Sequence, residues 1–267
     1  MDWQVALSAA LLGVVEGITE FLPITSTGHL ILLVDALGFR EPPGRVFEVV
    51  IQFGAILGVC WVYRERLKEM LLYPLQASNR KLIVNLFIAF LPAAVIGFLA
   101  HSFIKGYLFN SVVVSIALVV GGIAIIVIER SVGPGPVRDL DNVPAKRAFL
   151  IGLFQTAAMV PGTSRSAATI MGGRILGLSR GVAAEFSFLL AIPTMLAASG
   201  YDLYKNAATL DFQGSATLII GFGCALVTAI LTVRWLVAFV SRHSFEAFGY
   251  YRIALGCILL LSWLVVR

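Results

Sequence analysis

Two apolar stretches near the N-terminus, Val5 to Val15 and Leu30 to Leu37, are each too short to cross a bilayer core, and the segment between them is polar. A spanning helix needs about 20 apolar residues. The intervening Glu16 to His29, Glu-Gly-Ile-Thr-Glu-Phe-Leu-Pro-Ile-Thr-Ser-Thr-Gly-His, brings two carboxylates, a hydroxyl cluster and an imidazole. Hydrocarbon can hydrogen-bond neither these groups nor an interrupted backbone, so such a break must be folded into protein or line a wet cavity. The two stretches therefore read as a broken, re-entrant pair meeting at Pro23.

Composition places the chain in a membrane. Hydrophobic residues make up 59% and charged residues 13%, mean hydropathy is +0.92, and soluble domains carry roughly 25% charge. No linker-like stretch divides the sequence, so residues 1–267 read as one integral membrane domain. The net charge of +5 is spread over short loops and forms neither a basic stripe nor an aromatic-interleaved surface, which argues against nucleic acid as a partner. Cys60, Cys224 and Cys257 lie in apolar runs without metal-ligand spacing and read as small core residues. Asp2 and Glu16 fall where a cleaved leader would need a basic start and an apolar centre.

Beyond a polar loop at Arg40 to Gly44, spans are predicted at about 46–63, 82–100, with Pro92 expected to kink it, and 112–128. A longer polar loop, 129–147, marks a midpoint. Phe149 to Val160 is again short and apolar, is broken by Pro161-Gly162, and is followed by Thr163-Ser164-Arg165-Ser166 and Ala167 to Leu178. Three more spans follow at about 182–200, 217–240 and 250–266. Sliding the chain by 139 residues pairs Gly13 with Gly152, Glu16 with Gln155, Thr25 with Ser164 and Ile31 with Ile170. At 137, Glu48 pairs with Glu185, and Ile116-Ala117-Leu118 with Ile253-Ala254-Leu255. The expected fold is an all-α polytopic membrane protein with internal repeats at about 1–130 and 148–267, each a re-entrant broken pair plus three transmembrane helices.

If the loops at 64–81, 129–148, 173–181 and 241–252 face the cytoplasm, they hold 13 of the 20 Lys and Arg. Both termini then face outward. An odd number of full spans in each half inverts the second repeat relative to the first, as in transporters whose sites lie between broken helices at midplane. The two breaks should meet.

Glu16 and Glu20 are one turn apart on a helix, and close carboxylates repel or recruit a cation. Thr25 or Ser26 can cap the half-helix after Pro23 and turn its positive end toward the break, a start that suits an anion. Pro161-Gly162 with Thr163, Ser164 and Ser166 offers the same device, and Arg165 adds a planar donor fork that fits phosphate. Capping explains any one hydroxyl; it does not explain an arginine between two apolar half-helices. His29, one turn after Ser26, can serve as base, acid or nucleophile. Glu48, Glu185, Gln52 and Gln155 read equally well as structural polar groups, and His101 and His243 as solvated loop residues.

Glu-Gly-x-Thr-Glu-Phe-Leu-Pro-Ile-Thr-Ser-Thr-Gly-His-Leu at 16–30 and Pro-Gly-x-Ser-Arg-Ser-x-x-Thr at 161–169 resemble the two signatures of the bacterial undecaprenyl-diphosphate phosphatases, the family of bacitracin resistance protein BacA. The likeness covers essentially the whole chain; Thr25 stands where many members have serine. It implies hydrolysis of undecaprenyl diphosphate to undecaprenyl phosphate and inorganic phosphate for cell-wall synthesis, and bacitracin resistance on overexpression. It further implies a multi-pass protein of the bacterial inner (plasma) membrane, with its site open to the outer side. Membrane lipid is the surrounding partner, and a homodimer is compatible with this reading. The resemblance places the essential acids on Glu16 and Glu20, the serine on Ser26, the histidine on His29 and the phosphate-binding arginine on Arg165. Ser164, Ser166, Thr27 and Thr169 complete the expected phosphate site, and Glu16 and Glu20 are the expected ligands of a divalent cation, Mg²⁺ or Ca²⁺. A lipid-phosphate flippase or anion transporter using the same helix ends is the alternative. Such a carrier needs Arg165 and the helix dipoles but not the acids, serine and histidine together.

Overall fold

A computed structural model describes residues 3–39, 46–103, 108, 110–205 and 215–266. Among these there is no strand. Eleven helices follow in order: α1 (Trp3–Thr19), α2 (Ser26–Leu37), α3 (Val46–Val62), α4 (Arg64–Leu72), α5 (Ala77–Phe103), α6 (Ser111–Ser131), α7 (Ala145–Thr156), α8 (Arg165–Ile175), α9 (Arg180–Lys205), α10 (Ser215–Val240) and α11 (Glu246–Val266). Five of them, α5, α6, α9, α10 and α11, are long and apolar enough to cross a membrane, and α3 with α4 makes a sixth if that pair, bent by 76°, counts as one span. The protein is a multi-pass membrane protein.

Both expected breaks are present. Pro23 lacks an amide donor and disfavours helical backbone at Leu22, so α1 cannot run on into α2. The chain reverses through Thr25, at φ 74° and ψ 113°, before α2 begins. Ser164, before α8, has φ 71° and ψ 120°. Among the described non-glycine residues only these two have positive φ, and they are the pair that the 139-residue offset brings together. Gly13 and Gly152, paired by the same offset, also occupy equivalent crossings. α1 packs on α10 and α7 on α5, and a methyl group at Gly13 would strike the Gly221 carbonyl, one at Gly152 the Ala89 carbonyl. Small residues at such crossings let transmembrane helices approach closely. The core between the halves includes Phe21 and Phe188, packed edge-to-face with centroids 5.8 Å apart.

Several sequence expectations change. The polar stretch after 63 is a helix, α4, turned sharply from α3. The backbone at His101 is helical rather than loop. Cys257 faces outward, and the loop expected at Arg40 to Gly44 lies outside the described residues. The charge tally also shrinks. Arg174 belongs to α8 and Arg252 to α11, and both are fully buried, so they cannot count as loop charges. Thirteen less two leaves eleven basic residues on the side assigned to the cytoplasm. There, Glu129 accepts from Arg174 at 3.0 Å and from Arg180 at 2.7 Å, and Arg174 also donates to the Leu178 and Gly133 carbonyls. This network ties α6, α8 and α9 together at one end.

Candidate active site

The two breaks meet. Arg252, reaching in from α11, donates to carbonyls of both: Pro23 at 3.2 Å in the first, and Gly162 and Thr163 at 2.9 and 2.8 Å in the second. Its remaining bonds go to Ala117 and Leu118 of α6, at 3.1 and 3.4 Å. Broken backbone leaves carbonyls that lipid cannot satisfy, and one guanidinium with five N–H donors collects them. Ser166 adds a second tie, donating to the Leu22 carbonyl at 2.8 Å.

Across this junction Glu20 joins the halves. Its Oε2 accepts from Ser26 Oγ at 2.6 Å and its Oε1 from Arg165 Nη2 at 3.0 Å. Arg165 is held further by the Ser187 carbonyl at 3.1 Å, by the sulfur of Met195 and by the face of Phe21. Its Nε has no partner. These groups border a cavity of about 500 Å³. Its polar wall includes Glu20, Ser26, Thr27, Gln155, Ser164 and Arg165; much of the rest is apolar, from Phe90, Ala94 and Phe98 of α5 and Met195 and Ala198 of α9. The cavity thus sets a guanidinium and hydroxyls beside an apolar wall.

The cavity takes in Glu20, Ser26, Thr27, Ser164 and Arg165, whereas Glu16, His29, Ser166 and Thr169 do not line it. Ser164 caps α8, accepting from Ala167 N–H at 3.2 Å. Because the Ser166 proton goes to Leu22, Ser164 is the donor in the 2.9 Å contact between the two hydroxyls. Thr169 is buried against Ser187 at 2.6 Å. Thr25, the residue before α2, makes no side-chain cap. Glu16 is fully buried, and neither carboxylate oxygen has a partner in the protein. Glu20, Glu48 and Arg165 are close enough to act on its charge.

His29 takes neither Ser26 nor Glu20 as its hydrogen-bond partner. Its Nδ1 lies 2.6 Å from the Thr25 carbonyl and its Nε2 2.6 Å from the Tyr251 hydroxyl, with the two rings stacked 5° from parallel. A carbonyl only accepts, so Nδ1 carries the proton, and in the neutral ring Nε2 accepts from Tyr251. The partner of Ser26 is Glu20. Sequence reading missed the roles of both Tyr251 and Arg252, which fall where the loop counted at 241–252 overlaps the span expected at 250–266, and counted Arg252 as a loop charge. The available signal was Gly249 and Gly256, which share a helical face with Arg252 and mark it as a helix–helix contact.

Two broken helix pairs, joined through buried arginines beside a cavity with a guanidinium in its wall, define a multi-pass membrane protein with a polar site between its breaks. Residues 9–258 match the family model of bacitracin resistance protein BacA, and the chain belongs to that family. It is 52% identical over 261 residues to an undecaprenyl-diphosphatase of Methylococcus capsulatus, covering 97% of this chain and 94% of that protein. It is 51% identical to undecaprenyl-diphosphatase 2 of Paramagnetospirillum magneticum, covering 95% and 97%. Identity to the undecaprenyl-diphosphatase of Acinetobacter baumannii is 48%, covering 96% and 95%.

Proposed function

We propose that this protein is a hydrolase that cleaves undecaprenyl diphosphate to undecaprenyl phosphate and inorganic phosphate, renewing the lipid carrier of cell-wall synthesis. The observation that carries the mechanism is Glu20, bound at once to a hydroxyl and to a guanidinium. The terminal phosphate of the substrate competes with Glu20 for Arg165, whose buried Nε has a hydrogen bond still to give. Once Arg165 turns to phosphate, Glu20 is left to take the Ser26 proton. Ser26 Oγ then bonds to the terminal phosphorus while the bond from phosphorus to the bridging oxygen breaks, and undecaprenyl phosphate leaves. Glu20 passes that proton to the departing phosphate and then takes one from a water, whose oxygen bonds to the phosphorus of the seryl phosphate; the bond from phosphorus to Ser26 Oγ breaks, inorganic phosphate leaves, and the proton returns from Glu20 to Ser26. The positive start of α8, together with Arg165, faces the charge that develops on the transferred group.

The divalent cation is proposed at Glu16, with Glu20. Among the described residues no three His, Cys, Asp or Glu side chains are grouped to hold a metal, but Mg²⁺ commonly takes only one or two carboxylates plus water and substrate phosphate. The two unpartnered Glu16 oxygens fit that demand. Such an ion would neutralise diphosphate charge.

We further propose an inverted repeat, in the bacterial plasma membrane, with the site toward the outer face. In support, the cavity is lined from the second halves of α5 and α9, beginning at Phe90 and Thr194, whereas Arg80, Lys81 and Arg180 sit at their N-terminal ends.

Phosphate release by purified protein in detergent, where there are no compartments to transport between, separates hydrolase from carrier. We expect release by the wild type, its loss in Arg165→Ala, and its loss on chelation. With labelled substrate, phosphate should be trapped on Ser26. Near-normal turnover by Ser26→Ala would remove the serine nucleophile, and no release by wild type would remove the hydrolase.

A further inference from the structure

The 139-residue offset that superposes the two breaks also pairs Glu16 with Gln155, and both residues are almost completely buried. Each is left with unmet polar atoms: the two oxygens of Glu16 and the amide nitrogen of Gln155. Equivalent places in the two halves therefore hold side chains of the same shape and opposite hydrogen-bonding character, one accepting and one able to donate. Gln155 lines the cavity beside Arg165, whose Nε is the other unpartnered donor there.

We propose that Gln155 is a substrate-binding residue, donating its amide N–H to the diphosphate alongside Arg165; this rests on the hydrolase reading above. Three observations support it. Its hold on the protein is loose: among the described residues its side chain has one hydrogen bond, accepted by Oε1 from Thr194 Oγ1 at 3.4 Å. The Thr194 proton is already directed to the Leu190 carbonyl at 2.8 Å, so the amide is free to turn its NH₂ toward an anion. Gln155 also lies in the last turn of α7, where the helix dipole is negative and unfavourable to phosphate. A neutral donor at that place offsets the repulsion, and a second glutamate would add to it. The duplicated site is thereby divided, with Glu16 suited to a cation and Gln155 to the anion.

The test compares wild type, Gln155→Met and Gln155→Glu in detergent with undecaprenyl diphosphate. Methionine keeps the length and removes the donor; glutamate keeps the shape and adds charge. A hydrogen bond to a charged acceptor corresponds to a change of about tenfold or more. We expect KM to rise about tenfold in Gln155→Met and at least as far in Gln155→Glu, with kcat within about threefold of wild type in the methionine variant. A KM within about twofold of wild type in both variants, or a loss of kcat at constant KM, would overturn the assignment. Should the methionine variant fail to fold, the near-isosteric glutamate variant carries the same comparison. Equilibrium binding of radiolabelled undecaprenyl diphosphate, measured with each change on a Ser26→Ala background, needs no turnover. Weaker binding in the Gln155 variants supports the assignment and equal binding overturns it, whether or not the wild type proves to be a hydrolase.

Discussion

Glu20 can serve two partners only because it sits where the breaks meet, with Ser26 on one oxygen and Arg165 on the other. Glu20→Gln can still fill both positions sterically but cannot take a proton. We expect kcat to fall by about 10²- to 10⁴-fold in the folded fraction; retention of more than a tenth of wild-type turnover there would rule out Glu20 as the base. His29 answers to a different test. Tyr251→Phe keeps the stacked ring and removes only the hydroxyl on Nε2. Modification of His29 by diethyl pyrocarbonate, resolved from His101 and His243 by mass spectrometry, should speed up severalfold in that variant. An unchanged rate would mean that Tyr251 does not hold the imidazole. At this scale the sequence was informative wherever types cluster: two acids, a hydroxyl run and an arginine beside breaks. It could not say which partner each takes, because the Ser26–Glu20 bond depends on how the chain turns at Thr25.

The element that braces the site is α11, far from both signature motifs in the sequence. Arg252 closes on carbonyls of both breaks and of α6, so Arg252→Met would strand several buried acceptors. We expect a loss of at least about 3 kcal/mol, seen as a lower thermal midpoint in detergent, with partial recovery in Arg252→Lys; an unshifted midpoint would show that the brace is dispensable. Helix positions were legible from apolar runs, and the breaks from Pro23 and Pro161-Gly162. The role of α11 was not, because an arginine near the expected start of a span reads as a terminal charge until its helix is seen to begin a turn earlier, at Glu246, and its partners are known. The turn from α3 into α4 escaped for the converse reason: Arg64 to Glu69 read as a polar end, although its residues form helices readily.

Viewed whole, the molecule is tied at two levels: at the breaks by Arg165, Ser166 and Arg252, and at the basic end by Glu129 with Arg174 and Arg180. Removing one charge from a buried cluster leaves the others uncompensated, at a cost of about 3–5 kcal/mol. Glu129→Gln should therefore lower the thermal midpoint while leaving KM for the lipid diphosphate unchanged in the folded fraction; a raised KM would instead couple this end to the cavity. The sequence suggested a duplication through matching order and a few paired residues, and the paired backbone turns at Thr25 and Ser164 are in keeping with that proposal. Those turns carry a consequence for anyone wishing to harden the protein. Left-handed backbone at a non-glycine residue costs about 1–3 kcal/mol, and Thr25, unlike Ser164, recovers none of it through a capping bond. Thr25→Gly would take the same turn without that cost, giving a sturdier fold at the expense of a more flexible hinge just before Ser26.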